Sequence, residues 1–317
     1  MKYLFLALAC TLFSVQFVFT KAFSRRAGSV PHAGLWNSGV MALSMLLYLF
    51  PMNGFRLEVT STALLICIVQ ALCALTMGLC NIPAMRLGNM AVVTTYMLIG
   101  GMALPFLYGV LVLHEECPPL KIVAIVVLIA AILPTLLQSK NAPVARRSAG
   151  HAVLFHLLGL VLFILNGTTS ILTTVHSLHE NKISSGGFTL LIALCQLCLT
   201  LLLLSGYAAL RRIRGERAAF RAVFIDVTRE VPATARALLL LLGIGFGYAV
   251  CNGVGNVFSQ ESLTAGMESS VQFPVISGSV IVMSAVFGRL LFGEKIDRYT
   301  AVSLAMSVVG SVLFMLA

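Results

Sequence analysis

The chain consists mainly of long, continuously apolar runs, which are separated by short breaks that carry turn or charged residues. Each run supplies roughly the 20 residues that an α-helix needs to cross the hydrocarbon core of a bilayer. Strands of a membrane barrel would alternate polar and apolar residues, and these runs do not. The pattern predicts an all-α polytopic membrane protein with ten transmembrane helices, at residues 3–20, 33–50, 62–84, 89–113, 120–138, 152–175, 186–207, 234–256, 266–288 and 299–317.

The composition excludes a soluble domain. Hydrophobic residues make up 59% of the chain and charged residues 10%, whereas soluble domains are roughly a quarter charged. The net charge of +10 is spread over the breaks, so we expect contact with anionic lipid headgroups and no nucleic-acid partner. The first run, Met1–Thr20, is expected to remain as a helix, because it is followed by Lys21 and not by a small-x-small cleavage site.

Lys and Arg are distributed unequally between two sets of breaks. The odd-numbered breaks hold 17 of the 21 basic residues, and the even-numbered breaks together with the N-terminus hold 4. The positive-inside rule therefore places the odd-numbered breaks in the cytoplasm and both termini outside. The longest odd-numbered break, Arg211–Arg236, contains seven Arg with apolar residues at helical spacing. It predicts an amphipathic helix in the headgroup region, and a solvated basic loop is the alternative.

The chain also contains an internal repeat. Three short segments of the first half recur in the second half at offsets of 150, 175 and 179 residues. The matching pairs are 13–16 with 163–166, 78–81 with 253–256, and 109–115 with 288–294. They divide the chain into two five-helix repeats, residues 1–140 and 148–317. Because each repeat has an odd number of helices, the second copy enters the membrane from the opposite side, which predicts inverted repeats.

Two five-helix repeats whose fourth helices end in His114-Glu115 and Gly293-Glu294 resemble the drug/metabolite transporter superfamily. The segment Ala84–Ala91 is similar to that superfamily's EamA-like repeat. The resemblance implies a central cavity lined by helices 1, 3, 4, 6, 8 and 9, with helices 5 and 10 at the periphery. It also implies transport of amino acids, sugars, nucleotides or drugs. One departure is that small multidrug-resistance relatives use a Glu on helix 1, where this chain offers Gln16.

Polar side chains inside the predicted spans mark a candidate substrate site, because such groups are costly in lipid and should face the interior of the bundle. The candidate substrate-binding residues are Gln16, Gln70, Asn81, Thr94, Tyr96, Asn166, Tyr248, Asn252, Asn256 and Gln272. They predict a neutral cavity that hydrogen-bonds a small polar solute. The alternative is that they bond neighbouring helices to one another.

Glu268 is the one acid that lies within a predicted span. It is a candidate coupling residue or substrate counter-charge, or alternatively a cap at the N-terminus of its helix. Glu115 and Glu294 are interpreted as structural residues at helix ends, and His156 as an interfacial residue. The sequence contains no Walker lysine motif, catalytic triad or metal signature, so we expect no enzyme, no cofactor and no metal site.

These features together predict a secondary transporter that moves a small polar metabolite by alternating access, without ATP. An amino acid is the leading candidate substrate, and export is the expected direction. The expected partners are the substrate, membrane lipids and, as a candidate, a second copy of the chain in a homodimer. The expected location is the bacterial cytoplasmic membrane. The alternatives are a flippase for a lipid-linked substrate on the same fold, an intramembrane enzyme and a channel.

Overall fold

A computed structural model of the chain describes residues 1–28, 32–114, 118–134, 149–229, 234–265 and 269–316. These residues form α-helices joined by short connections, and no strand occurs among them. Within this described part, the only pairing of the β type is an isolated bridge between Ala27 and Thr228. The all-α fold class that the sequence predicts is therefore confirmed.

Each of the ten predicted runs corresponds to one helix, and a short additional helix, α8, lies in the longest break. The helices are α1 (Lys2–Arg26), α2 (Ala33–Met52), α3 (Ser61–Leu87), α4 (Met90–Leu111), α5 (Pro119–Ala130), α6 (Ala149–Leu178), α7 (Ser185–Ile213), α8 (Ala219–Phe224), α9 (Ala235–Thr264), α10 (Ser269–Phe292) and α11 (Arg298–Leu316). Both α1 and α7 continue beyond their apolar runs and place Arg residues in their last turns. Cations are favoured there by the negative end of the helix dipole.

Eight of these helices are long and apolar enough to cross a membrane, as judged by their length and composition. They are α1 to α4, α6, α7, α9 and α10. The other two predicted spans are shorter within the described residues, because the apolar helices there cover Pro119–Ala130 and Arg298–Phe314. The chain is thus a multi-pass integral membrane protein, and eight of the ten predicted spans have the length that a full crossing needs.

Polar contacts bring odd-numbered breaks together at one end of the bundle. Arg25 Nη2 donates to the carbonyl oxygen of Phe292 (2.8 Å), and Asn89 Nδ2 donates to that of Lys295 (3.2 Å). We call this region the Arg-rich end. It comprises residues 21–28, 85–90, 211–229 and 288–298.

Two even-numbered breaks meet at the other end of the bundle, which we call the opposite end. The backbone N–H of Ser184 donates to the Glu58 carboxylate (2.8 Å), and the Thr60 hydroxyl donates to the carbonyl oxygen of Asn181 (3.2 Å). The 20-residue helix α2, about 30 Å long, runs between the two ends. The first, third and ninth breaks therefore lie at one end and the second and sixth breaks at the other, whereas the side that faces the cytoplasm stays a prediction.

The longest break is helical over only a short part of its length. Between α7 and α9, the residues that the structure describes are helical only in the six-residue α8. Val223 is fully buried, whereas Phe220 is 66% exposed. Among the described residues, the amphipathic helix predicted for this break is therefore limited to α8. The reason is that the chain after α8 turns back onto the α1–α2 connection, where the Gly28 N–H donates to the Val227 carbonyl oxygen (2.7 Å).

The two halves of the chain are interleaved. α1 packs against α9 and α10, α6 packs against α3 and α4, and further contacts join α2 to α7, α4 to α10 and α5 to α11. One cluster of buried apolar side chains is drawn from α1, α3, α4, α6 and α10. Its members include Phe17, Met85, Val93, Leu162 and Val280. A core that is shared in this way holds the halves together as one unit.

Candidate substrate site

A row of amide side chains joins α1 to α9 in the interior of the bundle. Asn252 donates from Nδ2 to Oε1 of Gln16 (2.8 Å). Asn256, one turn further along α9, donates from Nδ2 to the backbone carbonyl oxygen of Asn252 (2.8 Å). Gln16 is buried and the two Asn side chains are half-buried. Three of the predicted site residues therefore meet in one hydrogen-bonded row, which we call the amide row and which crosses between the halves.

Helix α3 carries two further amides on one face. Gln70 and Asn81 are 11 residues apart, which is close to three full turns. Gln70 Nε2 donates to the Thr173 hydroxyl on α6 (3.3 Å). The Oε1 atom of Gln70 and the Oδ1 atom of Asn81 are buried, and neither has a hydrogen-bond partner among the described residues. Because buried polar atoms are normally paired, these two acceptors are suited to receive hydrogen bonds from a polar solute.

The predicted residues of α4 and α6 bond to neighbouring helices. The Thr94 and Ser284 hydroxyl oxygens lie 2.7 Å apart, which joins α4 to α10. The Tyr96 hydroxyl lies 2.9 Å from Nδ1 of His156 on α6, and Asn166 Nδ2 donates to a backbone carbonyl oxygen of α4 (2.7 Å). These residues act as interhelical contacts in this conformation. His156 thus takes part in the α4–α6 contact, a role for which its sequence position gives no signal.

The remaining predicted residues lie on α9, on α10 and in the connection between them. Tyr248 precedes Asn252 by one turn of α9 and is half-buried. The side chain of Gln272 and the whole of Glu268 lie outside the described residues, so the candidate coupling role of Glu268 stays a prediction. Among the described residues, no group of three or more His, Cys, Asp or Glu side chains could hold a metal ion.

A buried ion pair, which the sequence analysis does not predict, joins the halves at the Arg-rich end. Lys21 Nζ lies 2.6 Å from a carboxylate oxygen of Glu294, and the two side chains are only 6% and 10% exposed. The sequence suggests that Lys21 belongs to the break after the first span, but α1 continues through it to Arg26. Glu294 follows Gly293, whose positive φ of 66° is a conformation that glycine adopts readily.

Backbone groups of two successive helices complete the surroundings of this ion pair. Lys21 Nζ also donates to the carbonyl oxygens of Met85 (2.5 Å) and Gly88 (2.9 Å), at the C-terminal end of α3. The second carboxylate oxygen of Glu294 accepts the N–H of Met90 (2.9 Å), at the start of α4. The negative C-terminal end of α3 therefore stabilises the Lys21 ammonium group, and the positive N-terminal end of α4 stabilises the Glu294 carboxylate.

Contacts at both ends of the bundle connect different halves. At the Arg-rich end the Lys21–Glu294 pair makes this connection. Within the first half, the Arg86 guanidinium additionally donates to the carbonyl oxygens of Ser24 (2.8 Å) and Ala27 (2.9 Å) and so fixes the end of α1. At the opposite end, the hydrogen bond from the Ser184 backbone holds the pKa of the Glu58 carboxyl below its usual range. In this conformation, polar contacts therefore join the halves on both sides of the amide row.

The fold and these contacts define a multi-pass α-helical membrane protein with an amide row in its interior and a buried ion pair at one end. No known family model and no curated protein matches the sequence. The fold is similar to that of a solved structure described as "Crystal structure of protein", with 16% sequence identity and a TM-score of 0.50. The match covers 99% of this chain and 97% of that chain. The similarity concerns the fold alone.

Proposed function

We propose that the chain is a secondary transporter of the drug/metabolite type, which moves a small polar metabolite across the bacterial cytoplasmic membrane by alternating access. The observation that carries the proposal is the amide row, because it places neutral donors and acceptors between α1 and α9, which belong to different halves. Polar groups inside a membrane bundle are costly, and repeat interfaces are where transporters bind their substrates. Export of an amino acid remains the leading candidate within this class.

The pattern of helix packing supports two equivalent halves. Exchanging the halves means exchanging α1 with α6, α2 with α7, α3 with α9, α4 with α10 and α5 with α11. This exchange converts the α1–α9 contact into α6–α3, the α4–α6 contact into α10–α1, and the α3–α7 contact into α9–α2, all of which occur. The contacts α2–α7, α4–α10 and α5–α11 map onto themselves. Such a pattern is expected of inverted repeats related by a twofold axis in the membrane plane.

Alternating access follows from contacts that can open at one end at a time. Rocking of the two halves would separate the Lys21–Glu294 pair at the Arg-rich end, or the Glu58–Ser184 contact at the opposite end. Either movement would give the amide row access to one side of the membrane. The mechanism needs no ATP, because the energy comes from a solute or ion gradient.

Transport by purified protein in liposomes tests the proposal. A thermal-shift screen against metabolite pools, beginning with amino acids, identifies a stabilising ligand, and uptake of that ligand is then measured. We expect Gln16→Ala and Asn252→Ala each to lower the initial uptake rate about tenfold or more, because losing a hydrogen bond to a bound polar group costs ~1–3 kcal/mol.

The matched control is Gln196→Ala. Gln196 is also a buried amide, but its Nε2 donates to the Ser38 carbonyl oxygen (3.2 Å) at the α2–α7 contact. We expect this variant to lose stability and to keep its uptake rate per folded molecule. Unchanged uptake by both amide-row variants would show that the substrate binds elsewhere, and the absence of uptake of any stabilising ligand would reject the transporter proposal.

A second candidate function is flipping of a lipid-linked substrate, which one surface feature favours. An apolar groove of about 510 Å³ lies between α2 and α7 near the opposite end. Its lining consists of Leu46, Leu47, Phe50, Pro51, Phe55, Leu57, Leu190 and Leu194. A groove of this kind could hold a hydrocarbon tail while a polar head reaches the interior. A fluorescent lipid-flip assay distinguishes the two functions, because a metabolite transporter would leave the label in its original leaflet.

A further inference from the structure

The Lys21–Glu294 ion pair is a buried polar link between the halves. It connects α1 of the first half to the connection after α10 of the second half, and both side chains are almost completely buried. Buried ion pairs of this kind are held firmly, because removing one partner leaves an uncompensated charge in a low-dielectric region. If the Arg-rich end opens during transport, as the proposed function requires, this pair has to separate.

Lys21 and Glu294 differ in the hydrogen-bond partners that each would retain after the ion pair separates. Lys21 retains the carbonyl oxygens of Met85 and Gly88, which lie on α3 of its own half and form the negative end of that helix. In the described residues, both polar contacts of the Glu294 carboxylate are with the first half, because its other contact is the Met90 N–H of α4. Separation would therefore break both described contacts of the carboxylate but only one of the three contacts of the ammonium group.

A proton removes this obstacle. Once Glu294 is protonated, the side chain is a neutral carboxylic acid, and moving it away from Lys21 no longer separates opposite charges. The proton comes from the water at the Arg-rich end and returns there when the carboxylate forms again. From these contacts we infer that Glu294 is a proton-binding site, and that its protonation releases the Arg-rich end for opening. This inference rests on the proposed transport function.

Among the described residues, the charged groups around Glu294 are basic except for Asp297, which lies three residues further along the chain, and α3 contributes Arg86. Lys21 and Arg25 lie on α1, and Arg25 also bonds to the last residue of α10. Arg289 and Lys295 lie on its own part of the chain, and α4 carries no charged residue.

The distance between spin labels across the Arg-rich end tests the inference without any substrate. The labels are placed at Arg26→Cys on α1 and Leu291→Cys on α10, both exposed positions, in a protein whose eight native Cys have been replaced. The protein is embedded in lipid nanodiscs, and distance distributions are recorded from pH 8 to pH 4. We expect one short distance at pH 8 and a growing longer population as the pH falls.

Glu294→Gln imitates the protonated side chain and should show the longer population already at pH 8. Asp297→Asn is the matched control, because Asp297 is a nearby carboxylate that caps α11 through the Thr300 N–H (2.9 Å). The control should keep the pH dependence of the unmodified protein. A distance that does not change with pH in the unmodified protein overturns the inference, and so does a Glu294→Gln variant that stays closed at pH 8.

The failure of this inference is distinguishable from the failure of the transporter proposal. If the label distance is independent of pH while Asn252→Ala abolishes uptake, Glu294 is not the proton site and the transporter stands. If the distance responds to pH while no solute is transported, the proton-binding site is real and the proposed function is wrong.

Discussion

The close crossing of α4 and α6 provides a sharp test of how the two halves fit together. A Cβ atom added at Gly100 would lie 2.6 Å from the carbonyl carbon and 2.7 Å from the Cα atom of Phe163, and the carbonyl oxygen is nearer still. A Cβ atom added at Gly167 would lie 2.6 Å from the Gly100 carbonyl oxygen. Both helices therefore depend on glycine at this point, and Gly100→Ala is the smallest change that disturbs it.

The expected loss of stability follows from these distances. Ordinary contact begins at 3.4 Å, so the carbonyl carbon of Phe163 would have to move by about 0.8 Å, the difference between 3.4 and 2.6 Å, and its oxygen by more. The obstacle is backbone and cannot rotate away, which places the cost near the upper end of the ~1–3 kcal/mol typical of overpacking. The same movement stretches the Asn166 hydrogen bond to α4, whose loss costs ~1 kcal/mol. We expect Gly100→Ala to lower the free energy of unfolding by about 3–4 kcal/mol in total.

Unfolding by SDS in mixed micelles measures this loss. Trp36 is the only tryptophan of the chain and is buried, so its fluorescence reports unfolding. Gly206→Ala is the matched control, because nothing lies within 4 Å of a Cβ atom added there. We expect this control to be neutral or slightly stabilising, since alanine is the better helix former. If Gly100→Ala is as stable as Gly206→Ala, the close crossing of α4 and α6 is wrong.

Three further changes test individual contacts. Lys21→Met should cost ~3–5 kcal/mol of unfolding free energy, and adding Glu294→Gln should recover much of it; additive losses would contradict a direct ion pair. The hydrogen bond from Ser184 lowers the pKa of Glu58. The stability that this bond adds to the folded protein should be full above the ordinary carboxyl pKa and should fade as the pH falls through the lowered value. This pH-dependent contribution should be absent in Glu58→Gln. Burial lowers the pKa of His32, so protonation of this side chain favours unfolding once the pH falls below its ordinary pKa of 6.5. His32→Phe should therefore lose less unfolding free energy on acidification than the unmodified protein does.

The helices could be predicted from the sequence because in lipid a long apolar run has few alternatives to a helix. Run 62–84, for example, lies wholly inside α3 (Ser61–Leu87). The end of α5 at Ala130 does not show in the hydropathy of run 120–138, which stays mostly apolar. The local signal for it is Pro134, because a proline ring clashes with the carbonyl group four residues earlier in a helix. Hydropathy therefore indicates where a helix can form, whereas its ends depend on local turns.

The candidate site could be predicted only in part. Helical spacing places Asn252 and Asn256 on one face of α9, but the partner of Asn252 is Gln16, which depends on how the halves pack. The Lys21–Glu294 pair could not be predicted for the same reason, because its two residues lie near opposite ends of the sequence. Each residue by itself resembles an ordinary charge at a helix end. Contacts between distant segments thus required the structure.

Access to the amide row from the two sides of the membrane is the most direct test of the account. Asn252→Cys is introduced into a protein whose eight native Cys have been replaced, and a membrane-impermeant thiol reagent is applied to right-side-out and to inside-out vesicles. Alternating access predicts that the thiol is labelled from both sides, with each side favoured under different pH or substrate conditions. A thiol that reacts from neither side under any condition would contradict the account, because position 252 would then not line a transport pathway.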